Sequence, residues 1–304
     1  MNVHPQVAAA TALRFRATQA QVEADPMAQL LATRAAMVAA VPDECGPPLP
    51  VAHVSDVDAD GVPCRLYRPW VGAPVLVYAH GGGWATGSVE TVDRQCRRVA
   101  NRSGCAVLSV DYRLAPEHPF PAAIEDVQAA LGWLRDVPSE VGVDGTRIAI
   151  GGDSAGGHLA TVVARRERDA GRPLAYQILI YPVVDPSRSS ASYRSLGRYG
   201  LDAETMALFW AMFVPPGVDD ADPDVSPLAA DLAGMPPTLI LTAEFDVLRD
   251  EGEAYGDALV AAGVPTVVVR YQGVNHGFFR KLAVFDAAAI AGDQVAGALR
   301  TALA

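Results

Sequence analysis

Apolar runs and helical patterns alternate along most of the chain. After a proline-rich break at residues 42–50, eight segments are either continuously apolar or alternate apolar with polar positions, as strands do. Strands are predicted at 51–56, 62–68, 74–79, 105–111, 147–151, 175–181, 237–242 and 265–271, and helices at 89–102, 121–135, 155–169, 249–262 and 283–303. This alternation predicts an α/β fold, with a mostly parallel eight-stranded sheet covered by helices on both faces.

One long insertion interrupts this alternation. Between the apolar runs ILIYP (178–182) and TLILT (238–242), a helix-like stretch rich in methionine and aromatic residues occupies 202–214. An insertion there would cover the carboxyl edge of the sheet, where open α/β sheets bind ligands. We therefore expect residues 1–49 and 185–228 to form a helical cap over an α/β domain of residues 50–304. The alternative is that both segments only pack on the core as additional helices.

The composition narrows the class of protein. The net charge is −11, the sequence pI is about 4.9 and no basic run occurs, so the composition argues against a nucleic-acid partner. No apolar stretch is long enough to cross a bilayer and no signal peptide is recognisable, so we expect a cytoplasmic protein without membrane attachment. The cysteines lack metal-binding spacing and are expected to be free thiols: Cys45, Cys64, Cys96 and Cys105.

A candidate nucleophile lies where a predicted strand meets a predicted helix. The strand RIAI (147–150) leads into GGDSAGGHLA (151–160), which contains the pattern G-x-S-x-G as Gly152, Ser154 and Gly156. A nucleophile elbow needs small residues at both flanking positions, because a Cβ there would collide with the main chain of this sharp turn. The alternative is a glycine-rich turn in which Ser154 only caps the helix.

A serine hydroxyl needs a base, and the base needs a carboxylate behind it. His276 lies in QGVNHGF (272–278), a turn-like stretch between a late strand and the last helix, which is the place for a base in such a fold. The chain order Ser, Asp/Glu, His then requires an acid before His276, and Asp246 follows the penultimate strand. Its rivals are Glu244, Asp250 and Glu251. His158, although close to Ser154 in sequence, is expected to be a buried structural residue.

The glycine run in YAHGGGWATGS (78–88) fits the remaining requirement of acyl transfer. Negative charge collects on the carbonyl oxygen during attack, and main-chain N–H groups that are already aimed at it stabilise the transition state. Glycines let the backbone approach that oxygen, and the N–H of Ala155 beside the nucleophile would supply the other half of the oxyanion hole. His80 is expected to orient this loop.

Five ordered motifs together resemble those of the bacterial hormone-sensitive-lipase family of carboxylesterases, within the α/β-hydrolase superfamily. They are HGGGW (80–84), DYRLAPEHPFPA (111–122), GDSAGG (152–157), DVLRDEG (246–252) and NHGF (275–278), and the resemblance covers about residues 60–280. It implies an α/β-hydrolase fold with a cap, and it assigns the nucleophile, acid and base to Ser154, Asp246 and His276. The implied oxyanion hole consists of Gly82, Gly83 and Ala155 as donors, with Gly81 supporting the turn.

The resemblance also implies roles outside the triad. The DYRLAPE segment would be structural, with Asp111, Arg113 and Glu117 ion-paired. Four aromatic residues would line an acyl pocket, although such a stripe is also typical of ordinary helix packing: Trp84, Phe209, Trp210 and Phe213. Dimers formed by edge-strand pairing are common among proteins that resemble this one.

These features predict a serine carboxylesterase that hydrolyses small-molecule esters through an acyl-enzyme, and the resemblance implies short to medium acyl chains. No metal or cofactor is required. An amidase, a deacetylase or an acyltransferase would use the same triad, and the pocket and its access to water would distinguish them. A non-catalytic ligand-binding relative is the remaining alternative, against which the intact NHGF stretch argues.

Overall fold

The computed structural model describes residues 25–304, so residues 1–24 of the predicted N-terminal cap segment lie outside the described residues. Eight strands form one sheet within the described part. They are β1 (His53–Ala59), β2 (Val62–Arg68), β3 (Ala73–Ala79), β4 (Ala106–Val110), β5 (Val143–Asp153), β6 (Tyr176–Ile180), β7 (Thr238–Phe245) and β8 (Thr266–Asn275). Each of the eight predicted strands is present, and the largest differences in length are at β5 and β8.

The sheet has the order β1-β2-β4-β3-β5-β6-β7-β8. β1 pairs antiparallel with β2, and β2 pairs antiparallel with β4, whereas all other neighbours are parallel. The predicted mostly parallel sheet is therefore confirmed. Because parallel strands end at the same edge, the loops after β3, β5, β7 and β8 come close together there.

Helices cover both faces of the sheet. The helices are α1 (Pro26–Ala39), α2 (Val41–Cys45), α3 (Val89–Ser103), α4 (Ala122–Asp136), α5 (Pro138–Val141), α6 (Ala155–Asp169), α7 (Ala191–Ser195), α8 (Ala203–Phe213), α9 (Arg249–Ala261) and α10 (Asp286–Ala302). Side chains of α3 and α10 pack on one face, and those of α4, α6 and α9 on the other. In the fully buried β3, Val75 and Val77 join one core, whereas Leu76 and Tyr78 join the other, as strand alternation requires.

The insertion between β6 and β7 carries α7 and α8. Asp202 caps α8 by accepting a hydrogen bond from the Thr205 N–H at 2.7 Å. Met206, Trp210 and Phe213 are buried along one face of α8, with the spacing of four and three residues that places side chains on one side of a helix. By contrast, α1 has no buried residue, so polar contacts must contribute to its attachment.

Three further observations concern features away from the sheet edge. All four cysteines are free and buried. Within residues 25–304, no helix combines the length and the apolar character that a membrane span requires. Over the same range, no group of three or more histidine, cysteine, aspartate or glutamate side chains is arranged to hold a metal ion.

Candidate active site

Ser154 occupies a strained turn between β5 and α6. Its backbone angles are φ 57° and ψ −120°, a combination that residues with a Cβ rarely adopt. A Cβ on Gly152 would lie 2.3 Å from the main chain of Gly156, and one on Gly156 would lie 2.0 Å from the Ala79 carbonyl oxygen. Glycine is therefore required on both sides, and the close packing holds the serine in a conformation that costs about 1–3 kcal/mol.

The structure brings Ser154, His276 and Asp246 together at the carboxyl edge of the sheet. His276 Nε2 lies 3.0 Å from Ser154 Oγ, and His276 Nδ1 lies 2.7 Å from Asp246 Oδ2. Asp246 is buried, and its Oδ1 accepts a second hydrogen bond from the Leu248 N–H at 3.0 Å. Since an ionised carboxylate only accepts hydrogen bonds, the proton of a neutral His276 sits on Nδ1, and Nε2 is left to accept a proton from the serine.

The three rival carboxylates have other partners. Glu244 accepts a hydrogen bond from the Gly273 N–H at 2.7 Å and so supports the loop that carries His276. Asp250 accepts one from the Ser192 N–H at 2.8 Å, and Glu251 accepts one from the Val184 N–H at 2.9 Å. Burial raises the pKa of Glu251 well above its ordinary value, which favours a neutral carboxyl group.

The glycine loop after β3 carries main-chain N–H groups that differ in whether they have a hydrogen-bond acceptor. The Gly81 N–H already donates to Asp153 Oδ1 at 2.9 Å, so Gly81 supports the loop and is not free to bind an oxyanion. In the described part of the chain, the N–H groups of Gly82 and Gly83 have no protein acceptor. Ala155 is the first residue of α6, where helix N–H groups lack intrahelical partners. The N–H groups of Gly82, Gly83 and Ala155 therefore remain available as hydrogen-bond donors.

Buried side chains fix the base of this loop. The Asp153 carboxylate accepts from the Tyr78 hydroxyl at 2.9 Å as well as from Gly81. The Tyr112 hydroxyl donates to the His80 carbonyl oxygen at 2.7 Å, and its ring stacks on the His80 imidazole with centroids 4.2 Å apart. Burial lowers the pKa of His80, which favours a neutral ring that orients the loop.

The four aromatic residues predicted to contact substrate divide into two groups. Trp84 and Phe213 have no exposed surface and stack on each other with centroids 4.4 Å apart, and Trp210 is nearly buried against Trp84. Direct substrate contact would need surface that Trp84 and Phe213 do not expose, so here they pack behind the site. Phe209 differs from them, since it is partly exposed and packs against Gly83, where a Cβ would sit 2.3 Å from its ring.

His158 belongs to the same buried cluster and does not act on Ser154. Its Nδ1 accepts a hydrogen bond from the Trp84 indole N–H at 3.3 Å. Burial lowers the pKa of His158 to about 4, so the ring is neutral at physiological pH. This agrees with the structural role expected from the sequence.

The DYRLAPE segment is anchored by two of the three predicted ion pairs. The Arg113 guanidinium binds both carboxylate oxygens of Asp126, and Glu117 binds Arg34 of α1 at 2.6 Å. Asp111 departs from the expectation: its carboxylate accepts from the Val89 N–H at 3.1 Å and faces the neutral His80 ring at 3.9 Å. It therefore supports the start of α3 and is not ion-paired.

Sequence reasoning missed three residues that shape the site. Asp153 stands inside the GDSAGG motif, so its position beside the nucleophile was the available signal. Tyr181, which directly follows β6, has φ 37° and packs its ring on His276 with centroids 4.7 Å apart. Arg34 belongs to no motif, and its partners lie 51 to 83 residues away in sequence, so no local pattern could have found it.

Comparisons with known proteins agree with this geometry. A family model described as alpha/beta hydrolase fold matches residues 76–280. The chain is 42% identical to carboxylesterase NlhH of Mycobacterium tuberculosis over 252 residues, which cover 80% of this chain and 79% of the relative. It is 36% identical to an ethyl acetate hydrolase of Pseudomonas putida over 279 residues, 88% of this chain and 86% of the relative.

Solved structures of esterases are also similar to this chain over most of its length. The ester hydrolase EH1AB1, from the metagenome of Lake Arreo, superposes with a TM-score of 0.91 at 41% identity and covers 99% of both chains. A hyperthermophilic esterase from the archaeon Pyrobaculum calidifontis superposes with a TM-score of 0.82 at 42% identity, covering 91% of this chain and 92% of its own. The chain therefore belongs to the α/β-hydrolase superfamily and, within it, to the hormone-sensitive-lipase-like family of carboxylesterases.

Proposed function

We propose that the protein is a serine carboxylesterase with Ser154 as nucleophile, His276 as general base and Asp246 as the carboxylate that orients the base. The observation that carries this proposal is the continuous hydrogen-bond chain from Asp246 through His276 to Ser154, at 2.7 and 3.0 Å. Nucleophile, base and orienting carboxylate in this contact are the geometric signature of an activated serine.

The reaction follows from these positions. As Ser154 Oγ attacks the ester carbonyl carbon, its proton passes to His276 Nε2, and Asp246 stabilises the imidazolium that forms. The carbonyl oxygen becomes an oxyanion beside the N–H groups of Gly82, Gly83 and Ala155. When the tetrahedral intermediate collapses, His276 gives the proton to the departing alcohol. Water, activated by His276 in the same way, then releases the acid and regenerates Ser154.

The enclosure of the site supports substrates with short to medium acyl chains. Ser154 is only 6% exposed, and Phe209 packs directly over Gly83, so the space near the oxyanion loop is restricted. A relative that is an ethyl acetate hydrolase supports the same substrate class. We further propose that residues 185–228 and the N-terminal segment 1–49 act as the cap of a catalytic domain, residues 50–304.

A chain-length series tests this function. Initial rates on p-nitrophenyl esters from acetate to laurate should peak at the short chains, and Ser154→Ala should lower the rate by several orders of magnitude. The matched control is Ser103→Ala, since Ser103 is another buried serine but lies at the C-terminal end of α3, at the opposite edge of the sheet. Wild-type rates in Ser154→Ala would overturn the assignment of the nucleophile, and a maximum at laurate would overturn the proposed substrate class.

Two measurements separate this function from its alternatives. An esterase should hydrolyse p-nitrophenyl esters much faster than the matched anilides, and added alcohols should not compete with water for the acyl-enzyme. A fluorophosphonate probe should label the folded protein at Ser154, which a non-catalytic relative would not allow. Preferred anilide cleavage would indicate an amidase, and efficient ester exchange would indicate an acyltransferase.

A further inference from the structure

We propose that Arg34 of α1 is a positioning residue for the oxyanion hole, acting through two peptide groups on the N–H of Gly83. This inference rests on the proposed function, because it concerns the donors that the proposed reaction uses. Arg34 lies in the N-terminal segment, which contributes no side chain to the triad.

Arg34 binds three acceptors at once. Its Nε–H donates to the Ala85 carbonyl oxygen at 2.7 Å, and its Nη2–H donates to the Ala115 carbonyl oxygen at 2.9 Å. Both terminal nitrogens also bind the Glu117 carboxylate, at 2.6 and 2.8 Å. Arg34 thus links the end of the glycine loop to the DYRLAPE segment, which is itself joined to that loop by a direct bond at 2.9 Å from the Ala115 N–H to the Trp84 carbonyl.

The contact with Ala85 continues through the peptide plane. The Ala85 carbonyl and the Thr86 N–H belong to one planar trans peptide, so they point in opposite directions and move together. The Thr86 N–H donates to the Gly82 carbonyl at 2.9 Å. That carbonyl in turn shares its peptide group with the Gly83 N–H, one of the proposed oxyanion donors. A chain of hydrogen bonds therefore runs from the guanidinium of Arg34 to the Gly83 N–H.

This chain has two effects on the donor. It restrains the Ala85–Thr86 peptide plane directly. It also acts on the Gly82–Gly83 plane, together with the bonds that the Gly82 carbonyl accepts from the Ala85 N–H at 3.2 Å and from the Thr86 hydroxyl at 2.8 Å. In addition, hydrogen bonds in series polarise one another, so a positive charge at one end strengthens the acidity of the N–H at the other. Both effects stabilise an oxyanion more than a neutral carbonyl group, so they act on the transition state.

The attachment of the N-terminal segment suits this role. α1 has no buried residue, so Arg34 is a main point of contact between α1 and the catalytic domain. α2 is fixed near the histidine loop, where Glu44 pairs with Lys281 and its carbonyl accepts from the Ala283 N–H at 2.9 Å. A lysine could not replace Arg34, because an ammonium group lacks the planar fork that reaches two carbonyls and a carboxylate together.

The test compares Arg34→Ala, Arg34→Lys and wild type. We expect Arg34→Ala to lower kcat about tenfold with KM changed less than about twofold, and to weaken inhibition by an alkyl trifluoromethyl ketone about tenfold. Such a ketone forms a tetrahedral adduct with the serine and so reports on the oxyanion hole. Arg34→Lys should recover little of either loss. The matched control is Arg147→Ala, since Arg147 also binds one carboxylate and one carbonyl but lies early in β5, away from the site.

A second measurement does not depend on activity. The amide proton of Gly83 should shift upfield in Arg34→Ala and should be unchanged in Arg147→Ala, because only the first variant removes the charge from the hydrogen-bond chain. An unchanged Gly83 amide, or a loss of activity that appears in KM and leaves ketone inhibition intact, would overturn the proposal. If wild type shows no Ser154-dependent hydrolysis, the proposed function fails, and the Gly83 amide still decides whether Arg34 acts on it.

Discussion

Replacing Asp246 by asparagine isolates what the carboxylate does for His276. In wild type, Asp246 Oδ2 accepts from His276 Nδ1 at 2.7 Å while Oδ1 accepts from the Leu248 N–H at 3.0 Å. In the variant, the Leu248 N–H requires the amide oxygen to face it. The amide NH₂ group is then turned towards His276 Nδ1.

This orientation selects the wrong tautomer of the base. An NH₂ group can only donate, so His276 Nδ1 must accept, and the ring proton moves to Nε2. A protonated Nε2 cannot take the proton of Ser154, although the distances in the site are preserved. The equivalent change in a serine protease lowers kcat by about 10⁴-fold. We expect a loss of the same order here, which corresponds to about 5.4 kcal/mol of transition-state stabilisation.

Initial rates on p-nitrophenyl acetate and thermal unfolding measure the effect. The melting temperature of Asp246→Asn should change little, because the asparagine side chain has nearly the same volume as aspartate and keeps the bond from Leu248. Asp250→Asn is the control, since Asp250 lies in the same segment but binds the Ser192 N–H and Arg249. A rate above one tenth of wild type in the Asp246 variant, or an equal loss in the Asp250 variant, would refute this reasoning.

Three further outcomes follow from other contacts. Gly83→Ala should lower kcat more than tenfold and the free energy of unfolding by about 1–2 kcal/mol, because φ is +59° and the new Cβ would lie 2.3 Å from the Phe209 ring. Adding Phe209→Ala to this variant should restore part of the free energy of unfolding, measured in urea. The pKa of Glu251 is raised in the folded protein, so this residue should lower the free energy of unfolding of wild type as pH rises above about 4.5. The gain in free energy of unfolding from Glu251→Gln should therefore be larger at about pH 7 than at about pH 5. An equal gain at both pH values would contradict this. Burial raises the pKa of Cys64 to about 12 and also that of Cys96, so a disulfide reagent at about pH 8 should modify these thiols only after denaturation.

The sequence was sufficient to predict both the sheet and the three side chains that meet at its edge, and one physical reason explains both predictions. Buried parallel strands require continuous apolar runs, and functional loops follow their carboxyl ends, so Ser154, Asp246 and His276 each stand directly after a recognisable strand. The proposed nucleophile also carries a steric signature, since only glycine fits at positions 152 and 156. Local pattern and chemistry therefore coincide at these positions.

The same reasoning was insufficient where a role depends on what packs against a surface. The sequence showed a helix-like run rich in aromatic residues that includes Trp210 and Phe213. It could not show that these two side chains pack on Trp84 and His158. For Asp111, the motif indicated a charged partner, whereas the structure provides the N–H at the start of α3. The role of Arg34 could not be predicted from the sequence, because its three acceptors come together only after the chain has folded.

The buried aromatic cluster connects the insertion to the glycine loop after β3. Trp84 immediately follows the glycine run, and it stacks on Phe213 of α8 at 4.4 Å with an interplanar angle of 5°. Phe209, one turn earlier in α8, fills the space over Gly83. Any movement of α8 must therefore also move the side chains that pack against the glycine loop. In the proposed reaction, the space left for an acyl chain and the position of the proposed oxyanion donors are consequently coupled, because close-packed side chains cannot shift independently.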